Sequence, residues 1–275
     1  MVYDRANECY YVYMQSSVKK LEVQHEDKEA WKLYIENDKY REAYEICCKY
    51  DMSNREYIGS IYADKLFEKK DYKQAAEYYF RVGKNFEEIF LKYLTQASSL
   101  KDERIKDGLE DYLFRWLDYY YGAEMLESSK NNEKKVVIKQ NKIQMGMLIS
   151  WIIELKLCRL NKLEAEFNEA TQRQIQQEIQ MSDMSQTGNI KKQQLLDELN
   201  LQKQQFKSFL LRYQPIIDDV MIGLINQQMQ SHGRLNDIVE LAQDKGAHEI
   251  IIGHFINEEK FSEAIKHLSE VNPEE

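Results

Sequence analysis

The side chains best suited to chemistry in this sequence are cysteines and histidines, and their spacing decides whether they form a site. Cys47 and Cys48 are adjacent, so on a helix their side chains diverge by about 100° and cannot grip one metal as a C-x-x-C pair does. His248 and His254 are six residues apart, whereas a spacing of four puts two imidazoles on one helix face. These residues therefore predict no metal site and no cofactor.

Motifs for nucleotide binding and for serine hydrolysis are absent from the sequence. It contains no G-x-x-x-x-G-K-[ST] loop, no G-x-G-x-x-G and no G-x-S-x-G. Paired carboxylates such as Glu87 and Glu88 are typical of solvated helix faces, and nothing selects one pair for acid–base catalysis. The sequence thus predicts a protein that is not an enzyme, with no catalytic residue and no small-molecule substrate.

Composition excludes other classes of protein. The net charge of −9, from 38 basic and 47 acidic residues, argues against nucleic-acid binding. The longest apolar stretch, 145–157, is interrupted by Glu154 and is shorter than the roughly 20 residues of a membrane span. The first residues carry Asp4, Arg5 and Glu8 where a secretory signal would be apolar. We therefore expect a cytoplasmic chain with reduced cysteines.

One phrase, aromatic-x-x-small, recurs after polar turns. Positions i and i+3 share a helix face, so the aromatic ring wedges against the preceding helix while alanine lets the backbones approach. This pattern predicts packing residues of antiparallel helix hairpins, and not a binding site. The copies are Tyr40/Ala43, Tyr72/Ala75 and Phe261/Ala264, with looser ones at Phe86/Ile89 and Leu235/Ile238.

Periodicity and the scarcity of glycine and proline predict an all-α fold, an α-solenoid of helix hairpins similar to tetratricopeptide or clathrin-heavy-chain repeats. The first helices are predicted at 28–36, 39–50, 54–69, 71–82 and 85–96, with Asp71 and Asn85 as N-caps and Gly83 as a C-terminal stop. The predicted organisation is an N-terminal segment 1–27, hairpin repeats 28–122, a mobile loop 123–140, a buried helix or helix pair 141–170, a glutamine-rich low-complexity insertion 171–205 outside the core, and hairpin repeats 206–275.

Aromatic residues crowd one predicted helix near its end at Gly122. Tyr112, Phe114 and Trp116 precede three consecutive tyrosines, so apolar groups point to all sides of the helix. Such a helix is buried from more than one direction, and neighbouring repeats are favoured over a partner protein as the cover. The candidate partner interface is Tyr119, Tyr120 and Tyr121.

Four further motifs occur in an order that resembles a known family. They are F-x-x-x-x-Y-x-x-A-x-x-Y, F-E-E-I-x-L-K-Y-L, W-x-x-E-L and S-H-G, matched by Phe67, Tyr72, Ala75 and Tyr78; by 86–94; by Trp151, Glu154 and Leu155; and by 231–233. In this order they resemble the C-terminal α-solenoid of the deep orange family of class C vacuolar protein-sorting subunits. The resemblance runs from about residue 29 to 268, apart from the loop and the insertion.

The resemblance implies a scaffold subunit of the HOPS and CORVET complexes, which tether endosomal, lysosomal or vacuolar membranes before fusion. It implies that the partners are other tethering subunits, that membrane association is indirect, and that the protein is peripheral on late endosomes, lysosomes or vacuoles. The family's β-propeller and its RING-type zinc module are not expected in this sequence. A tetratricopeptide-like or clathrin-like interaction repeat outside the tethering complexes is the alternative.

Overall fold

The structure is a computed structural model that describes residues 2–4, 9–21, 26–99, 102–127, 135–179, 186–234, 239, 242–243 and 245–271. The backbone divides into two compact units, Met1–Tyr112 and Leu113–Glu275. Helices make up most of the described residues, which confirms the all-α class, and the one departure is a small sheet at the N-terminus.

The N-terminal sheet consists of three antiparallel strands in the order β1-β2-β3. The strands are β1 (Val2–Asp4), β2 (Cys9–Met14) and β3 (Ser17–Leu21). The run of tyrosine, valine and methionine in β2 favours a strand, since aromatic and β-branched side chains pack well on a pleated surface. The sequence patterns predict no helix or strand in 1–27, so these strands are a finding of the structure.

The first unit continues with short helices joined by tight turns. They are α1 (Ala30–Glu36), α2 (Tyr40–Tyr50), α3 (Arg55–Glu68), α4 (Tyr72–Arg81), α5 (Phe86–Ser99) and α6 (Glu103–Glu127), of which the last runs into the second unit. The predicted caps are confirmed: Asp71 accepts a hydrogen bond from the Gln74 amide at 3.3 Å, and Asn85 accepts one from Glu87 at 2.9 Å. Gly83 has a φ of +65° and ends α4, a conformation that suits glycine.

Aromatic rings form the centre of the first unit. Phe67 on α3 packs edge-to-face against Tyr72 and Tyr93, with both ring centroids 5.0 Å away. The Tyr93 hydroxyl donates a hydrogen bond to the Tyr72 carbonyl at 2.6 Å, which joins α5 to the start of α4. Ala75 is fully buried beside them. The aromatic-x-x-small phrase in α4 therefore lies in a hairpin contact.

Two glycines set how closely these short helices approach. A Cβ atom at Gly59 on α3 would lie 2.3 Å from Val82 Cγ1. A Cβ atom at Gly108 on α6 would lie 2.5 Å from the Tyr72 Cβ and 2.9 Å from its carbonyl carbon. Real side chains do not tolerate such distances, so both contacts require glycine.

The second unit contains longer helices. After the end of α6 come α7 (Lys135–Ile179), α8 (Gln186–Tyr213), α9 (Asp219–Ser231), α10 (His248–Asn257) and α11 (Phe261–Val271). Its core is largely aliphatic, and α7 contributes Met145, Leu148, Ile149, Ile152, Ile153, Leu157, Leu160 and Leu163 to it. Phe209 and Tyr213 of α8 pack beside this core, their rings 5.2 Å apart.

Three expectations for this region need revision. The structure continues α6 to Glu127 and begins α7 at Lys135, so the predicted loop 123–140 is helical on both sides of 128–134, which lie outside the described residues. Residues 141–170 belong to one helix and not to a pair. The glutamine-rich segment 171–205 is helical where described, and Leu199 is buried, so its exclusion from the core was wrong there. Lysine, glutamate and glutamine are good helix formers, and the absence of an apolar period did not rule out a helix.

Candidate functional site

The junction of α7 with α9 joins the two helices through several polar contacts. The two helices pack side by side in parallel, because Gly146 lies against Met221 and Ser150 accepts a hydrogen bond from Gln228 Nε2 at 3.2 Å. A Cβ atom at Gly146 would be 3.2 Å from Met221 Sδ, so the glycine permits the close approach. Asp218 caps the start of α9 by accepting a hydrogen bond from the Met221 amide at 2.9 Å.

Two of the sequence motifs meet at this junction. Glu154 of W-x-x-E-L lies 3.0 Å from Nε2 of His232, the central residue of S-H-G, although 78 positions separate them in sequence. Ser-His-Gly is the C-terminal cap of α9: Gly233 has a φ of +69° and the Arg234 amide donates to the Met229 carbonyl at 2.8 Å. This left-handed cap ends the helix and directs His232 and Arg234 back toward α7.

A chain of charged groups continues from the cap to α8. Arg234 is buried, and its Nε donates to Asn161 Oδ1 at 2.8 Å while its Nη2 lies 2.7 Å from Glu164. Lys203 of α8 approaches the same Glu164 carboxylate at 3.1 Å. Burial opposes ionisation of Glu164, but hydrogen bonds from Lys203 and Arg234 outweigh it and lower the pKa of Glu164. We call Glu154, Asn161, Glu164, Arg234, Lys203 and His232 the α7–α9 polar junction.

Glu154, Cys158 and His232 are also close enough to be examined as metal ligands, because their ligand atoms all lie within 4.8 Å of one another. The hydrogen bonds argue against that use. Asn161 Oδ1 accepts from Arg234, so its Nδ2 must be the atom facing His232 Nδ1 at 3.1 Å, and Nδ2 can only donate. His232 then carries its proton on Nε2 and donates it to Glu154.

A metal-bound histidine normally donates its second ring nitrogen to an acceptor. In this junction Nδ1 of His232 faces a donor, the Asn161 amide, so a metal at Nε2 would require Asn161 to flip away from Arg234. The geometry therefore suits a structural link between α7 and the end of α9. Sequence reasoning singled out Glu154 and His232 through their motifs, but it found no reason to join them.

Among the described residues, no other group of three side chains that could ligate a metal includes a cysteine or a histidine. Burial, followed by the negative charge of Asp51, raises the pKa of the Cys47 thiol to about 11, which makes it unreactive at neutral pH. His248 Nδ1 lies 3.1 Å from His267 Nε2 on α11, and His254 is buried in α10. His248 thus pairs with His267, a histidine that no sequence motif singles out.

The predicted repeat-packing residues differ in how far the structure buries them. Tyr72, Ala43, Ala75 and Ala264 are buried, and Tyr40 and Phe86 are half-buried. Phe86 stacks on Tyr112 with ring centroids 5.7 Å apart. Phe261 departs from the pattern, because 59% of its side chain is exposed. Leu235 lies outside the described residues.

The three consecutive tyrosines on α6 separate into different environments. Tyr119 is exposed, with 58% of its side chain accessible, while its ring lies 6.0 Å from that of Trp116. Tyr120 is half-buried beside Trp116, and Tyr121 packs edge-on against Tyr213 of α8 at 5.3 Å. Of the predicted partner interface, Tyr119 is the side chain that a partner could contact most directly.

No helix among the described residues has both the length and the apolar character needed to cross a membrane.

Comparison with known proteins identifies the region that contains this junction. A family model described as the VPS18 alpha-solenoid domain, first half, matches residues 22–246. Vacuolar sorting protein 18 of Arabidopsis thaliana is 24% identical over 96% of this chain and 22% of its own length. Vacuolar membrane protein pep3 of Schizosaccharomyces pombe is 24% identical over 97% of this chain and 24% of its own length.

The vacuolar protein sorting-associated protein 18 homolog of Danio rerio is 23% identical over 98% of this chain and 22% of its own length. The chain therefore spans less than a quarter of the length of these relatives. No solved structure matches it. The match covers the helices of the first unit and the α7–α9 polar junction, and it supports the α-solenoid class predicted from the hairpin pattern.

Proposed function

This chain belongs to the VPS18 family, and on that basis we propose that it is a non-enzymatic scaffold segment in vacuolar protein sorting. It acts within the HOPS and CORVET tethering complexes by presenting helical surfaces to other subunits. The observation that carries the proposal is the match to the VPS18 alpha-solenoid domain over residues 22–246. The ordered motifs of the sequence, including the two that meet at Glu154 and His232, support the same assignment.

The polar groups support a scaffold and not an enzyme. Burial, followed by the hydrogen bond to Asp64, raises the pKa of Tyr79, which is opposite to what an activated tyrosine needs. Burial likewise raises the pKa of Tyr213. In the junction, Glu164 and Arg234 bind each other, and Lys203 adds a second cation to Glu164. These groups serve to hold helices together.

The partners in this proposal are other vacuolar-sorting and tethering subunits. The exposed ring of Tyr119 on α6 is the contact we assign to them, because tyrosine is enriched at the centres of protein interfaces. Membrane association is indirect, through the complex, and places the protein on the cytoplasmic side of late endosomes, lysosomes or vacuoles. The relatives are described as vacuolar sorting or vacuolar membrane proteins, which supports this location.

The test is to isolate the native protein with its bound partners under gentle conditions and to identify them by mass spectrometry. We expect other vacuolar-sorting and tethering subunits in amounts comparable to the bait. Recovery of clathrin or chaperone partners in their place would favour an interaction repeat outside the tethering complexes and would overturn the proposal.

A matched pair of variants tests the surface separately from the function. Tyr119→Ala removes the exposed ring on α6, and Tyr57→Ala removes a ring of similar exposure on α3. We expect Tyr119→Ala to lower recovery of at least one subunit at least tenfold, with Tyr57→Ala unchanged. Equal recovery with both variants would refute the role of Tyr119 and leave the scaffold assignment to the first experiment.

A further inference from the structure

Two histidines link α10 and α11 at the end of their hairpin that lies away from the turn. The turn is fixed at Glu259, whose φ of +58° ends α10, and the Lys260 amide donates to the Phe255 carbonyl at 2.8 Å. His248 is the first residue of α10, and His267 lies in the second half of α11. Nδ1 of His248 is 3.1 Å from Nε2 of His267. The hairpin is thus held by backbone hydrogen bonds at one end and by an imidazole pair at the other.

The two rings are placed for a hydrogen bond between their nitrogens. The ring centroids are 5.2 Å apart and the nitrogens 3.1 Å, so the nitrogens lie between the rings and face each other. Such a contact needs one nitrogen that carries a proton and one that does not. Two neutral imidazoles meet this condition, and so does one neutral imidazole beside one protonated imidazole. Two protonated imidazoles do not, because both nitrogens are then donors and both rings are positively charged.

Neither imidazole contacts a carboxylate within the part of the chain that the structure describes, so a second proton would gain no ion pair there. Glu263 is engaged elsewhere: a hydrogen bond from Ser262, then its own backbone amide and the charge of Lys260, lower the pKa of Glu263. Both rings are half-buried, so protons reach them from the solvent. The charged residues within four positions of either histidine are Asp244, Lys245, Glu249, Glu263, Lys266 and Glu270.

The number of bound protons sets the direction of the pH effect. A histidine in an unfolded chain gains its proton near pH 6.5, so below about pH 6 both histidines of an opened hairpin are protonated. The closed pair keeps its hydrogen bond with only one added proton. The open form therefore binds more protons than the closed form at low pH, and acid favours opening. Above about pH 7 both histidines are largely neutral in the open form too, and this drive disappears.

We propose that the pair of His248 and His267 is a pH-sensitive switch, which holds the α10–α11 hairpin closed near neutral pH and opens it when both imidazoles are protonated. The first proton leaves the hairpin closed, and the second breaks the contact between the nitrogens. Opening begins at the His248 end, because the turn at Glu259 is held by backbone hydrogen bonds. This switch goes beyond the proposed scaffold function, since it makes the closure of one hairpin depend on pH.

The experiment follows the full chain by NMR between pH 8 and pH 5. Long-range proton–nitrogen spectra of the imidazoles report which ring nitrogens carry protons, and amide hydrogen exchange, corrected for its intrinsic pH dependence, reports closure of the hairpin. We expect protection of the α10 and α11 amides to fall at least tenfold between pH 7 and pH 5. Two fully protonated rings with undiminished protection at pH 5 would overturn the proposal, as would a hairpin that lacks protection at pH 7.

Two variants identify the group responsible for opening. His267→Gln keeps an amide that can donate to His248 or accept from it, so the acid-induced loss of protection should disappear. His254→Gln is the matched control, because His254 is buried in the same hairpin and its Nδ1 has no hydrogen-bond partner among the described residues. Protonation of that buried ring is the competing cause of acid opening.

The loss of protection should persist in His254→Gln. Its absence in that variant would assign the effect to the buried ring and overturn the proposal, and so would its persistence in His267→Gln. If His267→Gln is already unprotected at pH 7, the ring titration of the unmodified chain decides the question.

Discussion

The two units solve the same packing problem with different side chains. In the first unit, short helices are joined by tyrosine and phenylalanine rings and by glycines that allow close approach, as at Phe67, Tyr93 and Gly108. In the second unit, long aliphatic helices are linked by charged groups such as Glu164, Arg234 and Lys203. The aromatic contacts at the centre of the first unit join helices that follow one another closely in the sequence, whereas polar links of the second unit, such as Glu154 to His232, join positions 78 residues apart. The difference shows which contacts a local sequence pattern can specify.

One cluster, made of a tyrosine, an aspartate and a cation, occurs in both units. Tyr79 donates its hydroxyl proton to Asp64 at 2.5 Å in the first unit, and Lys92 lies 2.6 Å from the same oxygen. In the second unit, Tyr213 donates to Asp118 at 2.5 Å, and Arg212 lies 2.8 Å from it. A buried tyrosine thus meets a half-exposed aspartate and a cation in each case. The two units therefore differ in the side chains that surround this tyrosine–aspartate–cation cluster.

The largest expected effect is in the first unit, at the contact between α6 and α4. Gly108→Ala would place a Cβ 2.5 Å from the Tyr72 Cβ and should lower the free energy of unfolding by about 2 to 3 kcal/mol through overpacking. Urea unfolding followed by circular dichroism measures it. Gly122→Ala on the same helix is the control, since a Cβ there would meet nothing within 4 Å and should be neutral or stabilising by up to about 1 kcal/mol. Equal midpoints for the two variants would contradict the close approach.

The next effect tests the charged links of the second unit. Arg234→Ala removes a buried guanidinium that binds Asn161 and Glu164, and we expect a loss of about 2 kcal/mol in the free energy of unfolding. Arg173→Ala removes an exposed pair with Glu169 and should change it by less than about 0.5 kcal/mol. If both arginines gave the same small change, the α7–α9 polar junction would not stabilise the unit.

A smaller effect is expected when the tyrosine hydroxyl of the tyrosine–aspartate–cation cluster is removed in either unit. Tyr79→Phe and Tyr213→Phe each delete one hydroxyl that donates to a carboxylate, and each should cost about 1 kcal/mol in thermal or urea unfolding. Tyr57→Phe, at an exposed ring, should change stability by less than about 0.5 kcal/mol. A large difference between the first two variants would show that the loss of stability depends on the side chains around the cluster and not on its own hydrogen bond.

The smallest effect is on the pH dependence of stability. Burial opposes ionisation of Asp64, but hydrogen bonds from Lys92 and Tyr79 outweigh it and lower the pKa of Asp64, as similar contacts do for Glu164. Because their native pKa values lie below the unfolded ones of about 4, the stabilisation is present above that pH and is lost as pH falls through the native values.

Urea midpoints measured between pH 7 and pH 3 check this expectation. Asp64→Asn should flatten the acid side of the stability curve for the first unit and Glu164→Gln for the second. The changes should be modest, since 45% of Asp64 and 36% of Glu164 is exposed. A curve that stays unchanged in both variants would assign the acid sensitivity to other carboxylates.

The sequence predicted the local part of the fold well. The Asp71 cap and the stop at Gly83 depend on residues within a few positions of one another, so their spacing determines them. The burial of Tyr72 also needs Phe67 of α3 and Tyr93 of α5, which pack against its ring. Phe261 has the same spacing to Ala264, yet 59% of its side chain is exposed, so this spacing alone does not bury the aromatic ring.

The rest depended on contacts that periodicity does not encode. Glu154 and His232 lie 78 positions apart, and only the parallel packing of α7 and α9 brings them together. The N-terminal strands were missed because an inference from the scarcity of glycine and proline describes the whole chain and not its first 21 residues. The resemblance to a family pointed to the W-x-x-E-L and S-H-G motifs. Only the structure shows that these motifs link α7 to the end of α9.

The length of α7 has a mechanical consequence. From Glu164, the last α7 residue of the α7–α9 polar junction, to Ile179 there are 15 residues, about 22 Å of helix at 1.5 Å per residue. A tilt of about 5° at Glu164 would therefore displace the far end by about 2 Å. Small movements at the ion pairs of one glutamate are thus enlarged along the part of the helix that continues beyond it.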